Sequence, residues 1–344
     1  MKIEKTYVWN RGTKRRPSEY EDVTAFYSTP AVPFLESQIS HPATSPLPWH
    51  YTKTRIGPPD LQGSTLQHEA WERFLDPDET FYRNYVRQQW DKEQHVNAAL
   101  RDAEMFPVEF PPAYVDFLGR FLPPLRYSKW ARVQAMQFVI RFVPSSPIDA
   151  AVAFQAFDEL RATQRVIRRT LELSDRFDGF DDFRRCWLEE PAWQPAREFA
   201  ERLNATKDWG EVVAACNLCL EPLIEPLMEE VGGLAASVGD SGTSAVLASL
   251  LTDEVRHRRW TDAFVHMMTA SEIFGEDNRE ILARWVEKWY PLAVATIRGI
   301  GPMIDGVNPS RSYADFEADL LEVQYPALLE RLGLPAELKV EVAA

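Results

Sequence analysis

The stretch GTSAVLASLLTDEVRHRRWTDAFVHMMTAS at residues 242–271 decides the fold class. Apolar residues recur in it at helical spacing, as with Val246 and Leu250. From Leu66 onward most of the chain has this pattern, broken by short loops with Pro or Gly, and strand-like alternation is hard to find. We therefore predict an all-α bundle with at least four helices of about 25–30 residues, against a usual mean of about 11–12. The predicted helices cover about residues 76–103, 113–142, 147–176, 180–189, 191–205, 209–237, 242–271, 277–304 and 312–332.

The first 65 residues differ from the rest of the chain. Prolines interrupt any helical period there, yet the segment is too aromatic for a solvated linker. We expect an extended arm at 1–65 that packs on these helices or on another chain, a helical domain at 66–335 and a tail at 336–344. The arm contains eight prolines (Pro17, Pro30, Pro33, Pro42, Pro46, Pro48, Pro58, Pro59) and the aromatic residues Tyr7, Trp9, Tyr20, Phe26, Tyr27, Phe34, Trp49 and Tyr51.

Composition disfavours several classes of protein. With 38 Lys+Arg against 52 Asp+Glu, the net charge of −14 repels phosphate backbones and anionic lipids. No stretch approaches the about 20 apolar residues of a membrane span, and no apolar run follows the charges of Met1–Lys5. We expect a cytoplasmic protein that binds neither nucleic acid nor membrane. Cys216 and Cys219 lie in an apolar helical run and are predicted to be buried core thiols rather than half a zinc site or a redox pair.

One Glu-x-x-His motif points to a specific kind of site. Bundles of long helices can hold a carboxylate-bridged di-iron centre, which takes a Glu from each of two helices and a Glu-x-x-His from each of two others. The three-residue step places both ligands on one helix face. Of the six histidines, only His257 follows a Glu in this way, namely Glu254. A damaged second copy pairs Glu159 with Ala162 in a matching Asp-Glu-x-Arg context, and alanine cannot bind a metal.

The two remaining carboxylates of a di-iron centre are missing from the pattern. Glu221 and Glu225 are each followed by proline, which disturbs the helical geometry that a bridging ligand needs. The helix before the damaged copy has no acidic residue over 128–141. A full ligand set therefore cannot be assembled from this chain.

Glu254 and His257 are for this reason expected to be structural. We predict hydrogen bonds and ion pairs with Arg161, Arg256 or Arg258, inside or beside the bundle. Residual or adventitious metal binding is the alternative.

Four segments carry a resemblance to a known family. They are KRRPSEYEDVT at 14–24, WERFLDPD at 71–78 followed by Tyr82-Arg83, DELRATQ at 158–164 and TDEVRH at 252–257. On these segments the chain resembles the β subunit of the hydroxylase component of soluble bacterial multicomponent di-iron monooxygenases, in the toluene, phenol and alkene group. In this family the catalytic α subunit needs both histidines. The broken first motif therefore makes the chain resemble the β subunit rather than the α subunit.

The resemblance implies a ferritin-like bundle in which α alone holds the di-iron centre. This chain would then have no catalytic, cofactor-binding or metal residue, and Glu159, Glu254 and His257 would be vestigial ligand candidates. The implied partners are a catalytic α and a small γ subunit in an (αβγ)₂ hydroxylase, with an effector protein and an iron-sulfur/flavin reductase. The complex would oxygenate arenes, phenols or alkenes with O₂ and NADH-derived electrons.

Two other hypotheses remain open. The first is an autonomous ferritin-like di-iron oxidase or desaturase with an atypical ligand set. The second is a helical scaffold unrelated to oxygen chemistry, which the paired Asp-Glu-x-Arg segments disfavour.

Overall fold

The architecture comes from a computed structural model that describes residues 4–6, 18–24, 26–28, 63–307 and 311–335. Most of the described chain is helical, which confirms the all-α prediction. The α-helices are α1 (Glu19–Val23), α2 (Tyr82–Met105), α3 (Pro112–Phe142), α4 (Ser146–Ser174), α5 (Phe183–Glu189), α6 (Gln194–Ala205), α7 (Trp209–Val213), α8 (Glu221–Ser237), α9 (Ser241–Thr269), α10 (Gly275–Ile300), α11 (Tyr313–Asp319) and α12 (Tyr325–Arg331). Short 3₁₀ helices lie at Trp71–Arg73, Pro191–Trp193 and Gly301–Ile304, and π-helical turns at Ala214–Leu220 and Leu320–Gln324.

Four long helices build the centre of the bundle. Helix α3 packs along α4, and α8 packs along α9, while α9 also contacts α4. Helix α2 lies outside this core against α9, and α10 packs against α6 and the first π-helical segment. The four central helices therefore present one face each to a shared interior.

The first long helix begins later than predicted. Asp76 does not cap it; its two carboxylate oxygens instead accept the backbone N–H groups of Asp78 and Thr80. This Asx-type turn competes with helix formation, so α2 starts only at Tyr82.

Pro123 and Pro124, which sequence alone predicts to break or kink the helix, lie inside the single helix α3, so the chain is not broken there. Pro124 has no N–H to donate to the carbonyl of Arg120, four residues earlier. The indole Nε1–H of Trp193 donates to that carbonyl at 2.9 Å instead. A side chain from elsewhere in the fold thus satisfies the backbone group that the proline leaves free.

The helix predicted over 209–237 is divided. A π-helical segment, Ala214–Leu220, separates α7 from α8, and the same happens in the region predicted as 312–332. Cys216 and Cys219 lie in the first π segment and are fully buried, as predicted for core thiols. Burial raises the pKa of Cys219 to about 12, so this thiol is neutral and packs as an apolar group.

The described part of the N-terminal region contains structure that the pattern did not predict. Glu4–Thr6 pairs antiparallel with Phe26–Ser28 in a two-stranded sheet. Between them Ser18 caps α1: its hydroxyl accepts the Glu21 N–H, while the Glu21 carboxylate accepts the Ser18 N–H. This capping box was readable in the sequence.

Most of the predicted arm and the whole of the predicted tail lie outside the described residues. The division into arm, helical domain and tail therefore stays a prediction. Over the described ranges, each helix is too short or too polar to cross a membrane.

Candidate functional site at the bundle centre

Four potential metal ligands meet between α4, α8 and α9. Glu159, Glu221, Glu254 and His257 each offer one ligand atom, and these atoms lie within 4.8 Å of one another. All four side chains are at most 1% exposed. The arrangement unites both motifs found in the sequence with a glutamate that the sequence analysis had set aside.

Two cations of α3 lie among these carboxylates. Lys129 and Arg132 are three residues apart, so both point from one helix face into the interior, and they are at most 2% exposed. Lys129 Nζ donates to Glu254 Oε1 at 2.5 Å and lies 3.5 Å from Glu159 Oε2. The Arg132 guanidinium lies 2.9 Å from Glu159, 3.0 Å from Glu221 and 3.2 Å from Glu254.

These ion pairs fix the charge of the cluster. Burial alone would raise the pKa of Glu254, but Lys129 and Arg132 hold that pKa well below its ordinary value. Burial and the nearby charge of Glu254 raise the pKa of Glu221 to about 8. Burial also raises the pKa of Glu159, against the opposing effect of Arg132 and Lys129. Glu254 is therefore the carboxylate of this cluster that the two cations hold ionised. The pairing matters because an uncompensated buried charge is strongly destabilising.

His257 is neutral and hydrogen-bonded on both sides. Burial lowers its pKa to about 3, so one ring nitrogen carries the proton. We assign that proton to Nε2, which lies 3.0 Å from Asp158 Oδ2 and can donate to this carboxylate. Nδ1 then carries no proton and lies 3.3 Å from Glu221 Oε1, which accepts hydrogen bonds from Arg132 and Gln155.

The two Asp-Glu-x-Arg segments hold α4 and α9 together by reciprocal ion pairs. Arg161 of α4 donates to Asp253 of α9 at 2.6 Å, and Arg256 of α9 pairs with Asp158 of α4. From α2, Gln89 donates to both aspartates at 2.8 and 2.9 Å. The repeated pattern in the sequence is therefore a matched pair of contacts across one helix interface.

The predicted partners of Glu254 and His257 were wrong. Arg161 and Arg256 pair with the aspartates of the two segments, and Arg258 pairs with Glu225. A one-residue step along a helix turns a side chain by about 100°, so neighbours in sequence face different partners.

Sequence reasoning also missed three members of the cluster. Glu221 was set aside because Pro222 follows it, but proline at the first turn of α8 is compatible with a helix. Lys129 and Arg132 are basic and so fall outside the ligand pattern of a di-iron centre. Their spacing of three residues is a weak signal, because α3 also carries Arg120, Arg126 and Arg141.

A bundle of long helices with Glu and Glu-x-x-His positions at its centre is the scaffold of the carboxylate di-iron proteins. The family model described as Methane/Phenol/Alkene Hydroxylase matches residues 50–272, and the chain belongs to this family. This confirms the resemblance drawn from the sequence.

Individual relatives agree with the family. The β subunit of the hydroxylase component of the toluene-4-monooxygenase system of Ectopseudomonas mendocina is 30% identical over 293 residues, covering 81% of this chain and 84% of the relative. The small subunit of the propane 2-monooxygenase hydroxylase component of Gordonia sp. (strain TY-5) is 27% identical, covering 86% and 80%. A solved structure of toluene 4-monooxygenase with toluene bound in its resting active site has a chain with a TM-score of 0.70 and 27% identity, covering 84% of this chain and 94% of that one.

The residues at the centre do not fit the two irons that this family implies. A metal ion binds carboxylate oxygens at about 2.0–2.2 Å, but Glu254 Oε1 already contacts the Lys129 ammonium and Glu221 Oε1 the Arg132 guanidinium. Ala162, at the place of the second histidine, supplies no donor atom. Helix α3 contributes two positive charges where a di-iron helix contributes a carboxylate.

Proposed function

We propose that this chain is a non-catalytic, structural β subunit of a multicomponent monooxygenase hydroxylase. The observation that carries the proposal is the position of Lys129 and Arg132, whose charges lie between Glu159, Glu221 and Glu254. Two side-chain cations already lie beside these carboxylates, which lowers the net negative charge that a di-iron centre needs, and α3 adds no carboxylate to the cluster.

The names of the relatives, β or small subunits of hydroxylase components, support a multisubunit assembly, and the family resemblance suggests its composition. A catalytic α subunit would hold the di-iron centre, and a small γ subunit would complete an (αβγ)₂ hydroxylase. An effector protein and a reductase would bind to this hydroxylase. The complex would oxygenate small hydrocarbons such as arenes, phenols or alkenes with O₂ and NADH-derived electrons.

In this proposal, the chain gives structural support to the catalytic subunit. Residues that hold a site must keep its groups within small tolerances. The reciprocal pairs Asp158–Arg256 and Arg161–Asp253 lock α4 to α9, and the ion cluster ties both helices to α3 and α8. The result is a stiff support against which a partner subunit can pack.

A second candidate is an autonomous ferritin-like di-iron oxidase or desaturase with an atypical ligand set. One observation favours it, namely the convergence of three carboxylates and one imidazole within 4.8 Å. The two buried cations and Ala162 weigh against it.

The iron content of the purified chain separates the two candidates. We expect the chain expressed alone to be colourless and iron-free, and its complex with the catalytic subunit to carry about two irons per αβ pair. Stoichiometric iron in the isolated chain would overturn the structural-subunit proposal and make the autonomous oxidase the leading hypothesis.

A double variant tests the same proposal inside the complex. Glu254→Gln with His257→Asn removes both members of the intact motif, and we expect the iron content of the complex to stay unchanged. Iron is quantified in complexes of equal subunit stoichiometry, so that loss of assembly is not counted as loss of metal. A fall of close to two irons per αβ pair would show that these side chains are ligands.

A further inference from the structure

The central cluster contains carboxylate oxygens that its ion pairs do not use. Glu221 Oε2 and Glu254 Oε2 are buried and have no hydrogen-bond partner among the described residues when every carboxyl group is ionised. Burial and the charge of Glu254 raise the pKa of the neighbouring Glu225 to about 10, so a proton on Glu225 can be shared with Glu254, while Glu221 Oε2 keeps no donor. Each belongs to a carboxylate whose other oxygen contacts Arg132. Buried acceptors without a donor are costly, so these oxygens mark a position that favours a further positive charge.

We propose that Lys129 and Arg132 exclude divalent cations from a latent four-donor site formed by Glu159, Glu221, Glu254 and His257. The inference rests on the proposed function in one respect, namely that the native chain is free of metal. It goes further in assigning the exclusion to two named side chains and in predicting that the site binds one cation when both are neutral.

The geometry suits one ion rather than two. Two ligands at about 2.1 Å on opposite sides of an ion lie about 4.2 Å apart, and the four donor atoms here lie within 4.8 Å of one another. Small shifts of long glutamate side chains cover the difference. A second ion would need donors from α3 and from position 162, where the chain has Lys129, Arg132 and Ala162.

The donor types define the class of ion. Three carboxylates and one imidazole suit Mn²⁺, Fe²⁺, Co²⁺ and Zn²⁺, while the absence of thiolate among these four donors disfavours soft ions. The charges fit as well. Loss of two side-chain cations leaves the same deficit of positive charge that one divalent ion supplies.

The exclusion has a consequence for loading of the proposed complex. A subunit with an open donor set would compete with the catalytic subunit for Fe²⁺. With Lys129 and Arg132 in place, the four-donor site of this chain is closed to iron. Iron supplied to the complex then goes to the catalytic subunit.

The test uses the complex with the catalytic subunit, isolated with its iron, and Co²⁺ as the probe. In Lys129→Met/Arg132→Met, both charges are removed while most of the side-chain volume is kept. Equilibrium dialysis against Co²⁺ should give about one more ion per αβ pair than the wild-type complex, together with a new visible d–d absorption. Adding His257→Gln to this variant should weaken binding and change that absorption, because one nitrogen donor is lost.

A matched control removes two cations from the neighbouring ion pairs. Lys92 and Arg161 both contact Asp253, which is not one of the four donors. Lys92→Met/Arg161→Met should therefore bind no additional Co²⁺. Equal Co²⁺ uptake by this control would overturn the assignment to the latent site.

Two further measurements separate misfolding of the Lys129→Met/Arg132→Met variant from failure of the inference. Recovery of assembled complex only from Co²⁺-supplemented medium supports the proposal, because the ion then replaces the missing charges. If the double variant fails in both media, Glu159→Gln is added to reduce the uncompensated charge while Glu221, Glu254 and His257 remain. A folded double or triple variant without additional Co²⁺ overturns the inference, whereas iron in the isolated wild-type chain overturns the proposed function instead.

Discussion

At the scale of single residues, His257 shows how burial decides protonation. Its ring is 1% exposed, and the groups that face it come from three helices. Asp158 lies on α4, Glu221 on α8, and Glu254 and Arg256 on α9 itself. Burial lowers the pKa of His257 from 6.5 to about 3, because the surroundings hold a neutral ring better than a charged one.

This shift predicts a loss of stability in mild acid. Between about pH 6.5 and pH 3 the unfolded chain binds a proton at His257 that the folded chain does not, so the free energy of unfolding falls as the pH falls. The effect is about 2 kcal/mol at pH 5. His257→Gln should reduce the difference in unfolding free energy between pH 7.5 and pH 5 by about that amount. Urea denaturation at both pH values measures it.

His95→Gln provides the control, because His95 is exposed on α2. This substitution should leave the pH dependence of the unfolding free energy nearly unchanged. An equal pH response of wild type and His257→Gln would show that the buried ring does not titrate as proposed.

The sequence predicted part of the central cluster. Local spacing within one helix identified Glu159, Glu254 and His257, since i and i+3 on one face is a local property. The contacts of Lys129 and Arg132 with those residues depend on the rotation and register of α3 against α4 and α9. No local pattern encodes that register, so the two cations could be found only from the fold.

At the scale of elements, two glycines show where the backbones of neighbouring elements must lie in close contact and where they need not. A Cβ at position 299, on α10, would lie 2.4 Å from the backbone carbonyl oxygen of Ala192. A Cβ at position 233, on α8, would meet nothing within 4 Å among the described residues. Helix α10 can therefore lie against the 3₁₀ helix Pro191–Trp193 only with glycine at this contact.

Gly299→Ala should destabilise the protein by about 1–3 kcal/mol, because the backbone of one element must move. Gly233→Ala should be neutral or stabilise it by up to about 1 kcal/mol, since alanine is the better helix former. Thermal unfolding of both variants under one set of conditions measures the contrast. Equal melting temperatures would mean that the α10 contact is not a close one in solution.

The helix positions were largely predictable, and the interruptions were not. Predicted and observed bounds of α3, α4 and α9 agree within two residues, because long amphipathic periods end at clear Pro and Ser signals. The π-helical segment Ala214–Leu220 carries no local signal of its own. The continuity of α3 through its two prolines depended on Trp193, a partner 69 residues after Pro124 in the chain.

At the scale of the whole molecule, the N-terminal region is joined to the bundle through a short described segment. The Tyr20 side chain is 1% exposed, and its hydroxyl accepts the backbone N–H of Asp76 at 3.1 Å. The Glu19 carboxylate lies 3.6 Å from Arg83 at the start of α2. Residues 18–24 therefore anchor the region on this chain, while the many aromatic residues outside the described ranges are those we propose for contact with a partner subunit.

Deletion of residues 1–50 should weaken association with the catalytic subunit by about tenfold or more, equivalent to about 1.4 kcal/mol. The physical reason is that aromatic side chains bury large areas at interfaces, and this segment carries seven of the eight aromatic residues of the predicted arm. Co-purification on a tagged catalytic subunit, followed by titration of the purified chains, measures the loss. Tyr20→Ala in the full-length chain separates loss of the anchor from loss of the arm, and deletion of 336–344 controls for truncation as such. Unchanged association after the 1–50 deletion would place the partner contact on the helical bundle instead.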